Sequence, residues 1–148
     1  MIIKNTTLEY KTKGEYEFED ITDEVHEFVK KSGIKDGLVN IQTLHTTNAI
    51  IVNENEPLLI EDMKNNFREI AKKDIYYGHN DFEVRTVNMC GLEECKNGHS
   101  HCLAAYLPTS VTLNIIDSKV SFGEWQRIFF IELDHSRTRK VQIQVMGN

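Results

Sequence analysis

Proline occurs only twice in this 148-residue chain, at Pro57 and Pro108, and no proline-, glycine- or serine-rich stretch divides it. With no linker, internal repeat or low-complexity tract, residues 1–148 read as one domain around one core. No apolar run approaches the roughly twenty residues that a membrane-crossing helix needs. The first twenty residues also lack the basic start, apolar centre and small-residue cleavage site of a secretory signal. A cytoplasmic protein that does not enter a membrane is expected. Cysteine is scarce, with three residues, and cytoplasmic thiols stay reduced. Basic side chains are outnumbered 23 to 17, for a net charge of -6, which repels DNA and RNA. The one basic cluster, "HSRTRK" at 135–140, is short and hairpin-like, so no nucleic-acid partner is expected. A phosphate-binding glycine loop, a dinucleotide fingerprint and a GxSxG elbow are all missing, which removes the commonest nucleotide-dependent and hydrolase readings.

What is present is periodic. Residues 1–19 alternate as two strands that turn near Lys13-Gly14. "ITDEVHEFVKKSG" changes to a helical period, with Ile21, Val25, Phe28 and Val29 on one face and Gly33 able to cap its end. "GLVNIQTLHTTNAIIVN" returns to strand. "NENEPLLIEDMKNNFREIAKKD" is a second helix, with Asn55 as N-cap, Pro57 in the first turn, and Leu59, Met63, Phe67, Ile70 and Ala71 buried. No period holds from Tyr76 to Asn97, the mark of a functional loop or of an element that periodicity misreads. "HSHCLAAYLP" makes a short helix stopped by Pro108, and three strands follow. One of them, "WQRIFFIEL", is apolar enough to be buried on both faces. The sum is α+β: a mostly antiparallel sheet or sandwich of about six to eight strands, two main helices and one short helix.

Four polar residues, His45, Thr46, Thr47 and Asn48, interrupt an apolar strand where a core would leave them unsatisfied. A bulge with local backbone bonds is the bland alternative. Asn53, Glu54, Glu56, Glu61 and Asp62 gather at the start of the second helix. Carboxylates there suit the helix dipole, and Glu54 and Asp62 lie nearer the polar strand end, where a general base or hard-cation ligand would sit. His79 follows the second helix, so His45, His79 and His101 come from three separate elements, the number of ligands that catalytic zinc commonly takes. "NGHSHC" at 97–102 has three readings. It can belong to a zinc site with Cys90 and Cys95, follow a Cys90–Cys95 disulfide that leaves Cys102 as a small core residue, or be a helix start capped by Asn97. The close spacing of His99 and His101 fits a zinc knuckle poorly. Trp125, with Phe122 and Phe129, reads as core or subunit interface; Gly123 permits close approach of a ligand; Arg127 needs an anion, from an internal carboxylate or a substrate phosphate.

Four blocks in order, "LHTTNAIIVNENEP", "YGHND", "NGHSHCLAAYLPTSVTL" and "FGEWQRIFFIELD", resemble the YjbQ family over almost the whole chain. The family pattern falls on His45, Thr46, Thr47, Asn53, Glu54, His79, His101, Gly123, Trp125 and Gln126. The resemblance implies a compact α+β domain that assembles as a homotrimer. It also implies weak activity as a thiamine-phosphate synthase, a transferase that joins a pyrimidine diphosphate to a thiazole phosphate. On that reading His45, His79, His101 and Glu54 are catalytic, and the three histidines hold a divalent metal, zinc or magnesium. Thr46, Thr47, Asn53, Asp62, Gly123, Trp125 and Arg127 then bind a phosphorylated or heterocyclic substrate. Two other expectations stand beside it: a non-catalytic metabolite- or metal-binding homotrimer with the same pocket, and a structural trimer whose histidines complete an interface. The loop 82–98 is longer and richer in cysteine than the family pattern.

Overall fold

The structure, a computed structural model, describes residues 1–89, 91 and 95–148. Among the described residues, eight strands form two antiparallel sheets that pack as a sandwich, with two main helices and a short third. The larger sheet takes β1 (Ile2–Lys11), β8 (Thr138–Gly147), β3 (Gly37–Thr43), β5 (Ser110–Ile116) and β6 (Lys119–Val120) in that order. The smaller takes β2 (Glu17–Asp20), β7 (Gln126–Glu132) and β4 (Asn48–Glu54). The α+β class, antiparallel pairing, strand number and helix number are those expected from periodicity.

The N-terminal residues do form two strands, but they join different sheets: β1 pairs with β8, and β2 pairs with β7. Alternation along β3 puts Val39 and Ile41 into the core beside Val141, Ile143 and Val145 of β8. Central strand β7 is buried from Ile128 to Glu132, as its unbroken apolar run requires.

Helix α1 (Thr22–Ser32) closes one face of the core with Val25 and Val29 and ends on Gly33, whose φ of 76° supplies the left-handed cap. Helix α2 (Pro57–Ile70) packs Phe67 against Tyr16 and Phe18. Its N-cap is Glu56 rather than Asn55: the Glu56 carboxylate accepts from the Leu58 and Leu59 amides at 2.9 and 2.8 Å. Ile70 is half exposed, and Ile60 packs on the core in its place. Helix α3 (Gly98–Ala104) is brief, buries Leu103 and Ala104, and leaves Cys102 exposed rather than in the core. Cys90, on which the cysteine zinc and disulfide readings depend, lies outside the described residues.

No helix among the described residues is long and apolar enough to cross a membrane.

Candidate functional site

The polar strand end expected around His45 is built over a buried ion pair. Glu132, the last residue of β7 in the smaller sheet, is wholly buried, and Arg139 on β8 of the larger sheet is almost so. Arg139 binds the carboxylate through Nε and Nη2 at 2.6 and 2.7 Å, a two-pronged geometry that suits guanidinium. Thr12 Oγ1, Asn48 Nδ2 and the Asp134 amide, each at 3.0 Å, complete the carboxylate's partners. Arg139 also donates to Thr47 Oγ1 at 3.1 Å. Thr47 and Asn48 are therefore internal fasteners, while Thr46 points to solvent. Both carboxylate oxygens of Glu132 are bonded, and the pair ties the end of β7 in one sheet to the start of β8 in the other.

The knot fixes the groups above it. His45 Nε2 accepts the Lys140 amide at 2.8 Å, which leaves the ring proton on Nδ1. Burial, reinforced by the charge of Arg139, holds the His45 pKa below its ordinary value, against the opposing pull of Glu132. Asp134 is buried; it accepts from Asn97 Nδ2 at 2.7 Å and from the His135 amide at 2.8 Å, and faces Arg137 at 3.2 Å. Burial would raise its pKa, but the hydrogen bonds from Asn97 and His135 outweigh burial and hold it low.

His79 and His101 meet edge to face, with ring centroids 4.6 Å apart. His79 sits in a single 3₁₀ turn, Gly78–Asn80, and His101 in α3. Two contacts bring these elements together. The Gly98 amide donates to Asn80 Oδ1 at 2.8 Å, and the bare Gly98 Cα lies so near Tyr77 that an added Cβ would come within 2.7 Å of the Tyr77 Cβ. Arg85 Nη1 donates to the His79 carbonyl at 3.3 Å. Burial and then the neighbouring His79 lower the His101 pKa; Asp134 opposes them, while Arg85 and Arg137 add to them. Arg137 bonds His135 Nε2 through Nε at 2.8 Å and faces Asp134 at 3.2 Å.

Beyond Asp134 a cleft of about 620 Å³ is walled by residues that include Glu15, Lys73, Lys96, His99 and His135. His99 is buried there and bonds Glu15 Oε1 at 2.8 Å. Glu15 also pairs with Lys73, so His99 is structurally committed. Asn97 stands at the α3 N-cap position but makes no cap bond; its amide nitrogen goes to Asp134, and its buried Oδ1 has no partner.

The other expected residues lie elsewhere. Asn53 and Glu54 end β4 opposite Arg127 and Gln126 at the far end of the smaller sheet, with Gly123 and Trp125 in the loop before β7. Arg127 is tied to Asp20 at 2.8 Å and Asp23 at 3.2 Å, the internal pairing that was one of its two readings. Asp62 is exposed on α2. Six steps along β7 separate the two ends, roughly 20 Å at the usual rise of a strand. Within one copy, the expected residues therefore form two groups.

Among the described residues, no group of three or more His, Cys, Asp and Glu could hold a metal ion. His79 and His101 are close enough to share a ligand, but within one copy His45 is not gathered with them.

Sequence reading missed Glu132, Asp134, Arg137 and Arg139. Their signal was present: Glu132 ends an apolar run with a charge, and "HSRTRK" was read only for net basicity.

The relatives match this chain over nearly its whole length, in sequence and in fold. The family model described as "UPF0047 protein YjbQ-like" matches residues 6–148. The chain belongs to the YjbQ-like UPF0047 family. A UPF0047 protein of Methanothermobacter thermautotrophicus is 33% identical over 147 residues, covering 99% of this chain and 94% of its own. The UPF0047 protein YugU of Bacillus subtilis is 32% identical over 142 residues, covering 95% and 98%. A crystal structure of a YjbQ-like family relative of unknown function from Sulfolobus solfataricus superposes with a TM-score of 0.88 at 30% identity, covering 99% of each chain. A hypothetical protein from Aeropyrum pernix gives 0.83 at 30% identity, covering 98% and 99%. The YjbQ-like fold is thus shared from end to end, and these relatives carry no stated activity.

Proposed function

We propose that the chain is a small-molecule enzyme of the YjbQ type, a cytoplasmic homotrimer. Its imidazole and guanidinium groups bind the phosphoryl end of a phosphorylated or heterocyclic metabolite. The observation that carries this reading is the edge-to-face meeting of His79 and His101, with Arg85 bonded to the His79 carbonyl, in a chain whose net charge is -6. A strongly acidic protein that sets cations and hydrogen-bond donors side by side has built a place for a small anion.

The reaction that fits is thiamine-phosphate synthase-like transfer. The bond between the pyrimidine methylene carbon and the diphosphate oxygen breaks, and the thiazole nitrogen forms the new bond. Diphosphate leaves with the electron pair, and Arg137, Arg85 and imidazole N–H donors hold the charge that develops on it. Glu54 is proposed to take part only from a second copy, because it stands at the far end of the smaller sheet.

A divalent zinc or magnesium ion enters this reading only in a restricted form. His79 and His101 would supply two ligands, and the rest would come from water or another copy, because the described residues of one copy do not supply three. No step above depends on it. Elemental mass spectrometry of untagged protein decides the point: stoichiometric metal that disappears in His79→Ala, His101→Ala protein supports the ion, and metal-free protein removes it.

Titration calorimetry with inorganic diphosphate tests the pocket, and a coupled assay with both substrates tests turnover. The enzyme reading expects His101→Ala to lose at least tenfold in each. Diphosphate binding that His101→Ala abolishes, with no turnover in wild type, replaces the enzyme with a metabolite-binding protein. Equal binding by wild type and variant refutes the pocket.

A further inference from the structure

The cleft of about 620 Å³ beyond Asp134 takes no part in the pocket of His79 and His101, yet three of its wall residues are a thiol, an imidazole and a carboxylate in series. Cys95 Sγ lies 3.7 Å from His135 Nε2, and His135 Nδ1 lies 3.0 Å from Asp134 Oδ1. The surroundings of the ring fix its tautomer. Arg137 Nε donates to His135 Nε2 at 2.8 Å, so that nitrogen carries no proton, and Nδ1–H donates to the Asp134 carboxylate. Asp134 is itself buried and held by Asn97 Nδ2 at 2.7 Å and the His135 amide at 2.8 Å, so the imidazole has a fixed support. A nucleophile, a base within reach of it and a group that orients the base are the parts of an activated thiol.

Cations line the same cleft. Lys73 is paired with Glu15, but the Lys13 side chain is 90% exposed with its ammonium 3.9 Å from Glu17, and Lys96, next to Cys95, has no ion pair among the described residues. This wall suits a molecule that carries carboxylates together with a bond that a thiolate can break. Exchange with a disulfide needs a thiolate, a proton acceptor and room, all of which are present, whereas acyl transfer also needs donors aimed at an oxyanion.

We infer that Cys95 is a thiol-exchange site, which takes up one half of a small disulfide bearing carboxylates. The Cys95 proton passes to His135 Nε2, and the Arg137 N–H turns from that nitrogen as the proton arrives. Sγ then attacks one sulfur of the disulfide; the Sγ–S bond forms and the original S–S bond breaks. The leaving sulfur takes the bonding pair and receives the proton from His135. The small disulfide is the oxidant, one thiol is consumed and one released, and the imidazole ends as it began. Lys13 and Lys96 meet the carboxylates of the incoming molecule. The diphosphate pocket has no part in these steps, so either reading can fail without the other.

Glutathione disulfide is the probe, and cystamine, a dicationic disulfide of the same sulfur chemistry, is its control. Each is added in excess to the reduced, full-length protein at neutral pH. Samples are quenched with acid at intervals and digested, and peptide mass spectrometry with fragment ions reads each cysteine separately. Cys102 is an internal standard, because it is exposed while Cys95 is partly buried. The expected result is that Cys95 gains the tripeptide at least about tenfold faster than Cys102. The His135 side chain is 47% exposed, so His135→Gln should fold, which circular dichroism checks, and it should bring Cys95 down to the rate of Cys102. Lys96→Glu should slow glutathione disulfide more than cystamine. Equal rates at Cys95 and Cys102 in wild type overturn the inference, as does a His135→Gln rate equal to that of wild type. A product that joins Cys95 to Cys90 and retains no tripeptide also overturns it, since the partner is then internal. An unchanged preference between the two probes in Lys96→Glu removes the carboxylate from the ligand class.

Discussion

Replacing Arg139 with methionine leaves Glu132 as a wholly buried carboxylate without its counter-charge. Breaking a buried pair from one side costs about 3–5 kcal/mol, and urea denaturation of Arg139→Met should show a loss in that range. The double variant Glu132→Leu, Arg139→Met should recover part of it. Full recovery is not expected, because Thr12, Asn48 and the Asp134 amide would each lose an acceptor. A double variant as unstable as the single one would show that the knot acts through shape rather than charge. The imidazoles above the knot give a pH prediction with a definite sign. His45 and His101 have folded pKa values below the ordinary 6.5, so the unfolded chain binds the proton more readily. Their contribution to stability is complete above about pH 6.5 and declines as pH falls from there through the folded pKa values. An anion on the same imidazoles favours the protonated form, so diphosphate affinity should rise over the interval in which stability falls. Calorimetry at a series of pH values checks this: affinity that falls with acidification removes the imidazoles from the anion site.

At the scale of the element, the meeting of His79 with His101 depends on how closely the 3₁₀ turn approaches α3. Gly98→Ala places a methyl group 2.7 Å from the Tyr77 Cβ, a backbone-proximal atom that cannot swing aside. Overpacking of this kind costs about 1–3 kcal/mol. The thermal midpoint should fall accordingly, and diphosphate binding should weaken with it, because the two rings separate. A variant with wild-type midpoint and binding would show that the approach is slack. The same element shows where sequence is legible. The stripe Val25, Phe28 and Val29, the cap at Gly33 and the alternation of β3, β5 and β8 all follow from a local period, and each stands in the fold. The histidines on three elements were legible as residues, but their convergence was not, because pairing across α3 and the 3₁₀ turn is set by a missing Cβ rather than by a pattern. Glu56 took the cap from Asn55 by a side chain long enough to reach two amides. The disulfide reading placed Cys102 in the core, and the α3 face it occupies turns outward. Glu132 and Arg139 escaped notice because the pair joins two sheets, and only the packing of one sheet on the other brings them together.

Over the whole molecule, charge separates what can approach from what cannot. The net charge of -6 repels a long polyanion from the molecule as a whole, while Arg85, Arg137 and Lys140 offer local positive charge. A small dianion senses only that charge, because the Debye length at 0.15 M ionic strength is about 8 Å and the far end of β7 lies roughly 20 Å away. Diphosphate should therefore bind with modest salt sensitivity: raising salt from about 0.1 to 1 M shortens the screening length from about 10 to 3 Å and should weaken binding several-fold without abolishing it. Single-stranded DNA, whose charge extends past these groups into the acidic surface, should show no binding at 0.15 M salt. Fluorescence anisotropy of labelled oligonucleotide beside calorimetry of diphosphate measures both on one preparation. Oligonucleotide affinity equal to or above that of diphosphate would mean that these cations are continuous with a longer groove, and the small-anion reading would give way to a nucleic-acid one. Salt-independent diphosphate binding would place the anion in a screened interior rather than at the surface, and the cations named here would not be its ligands.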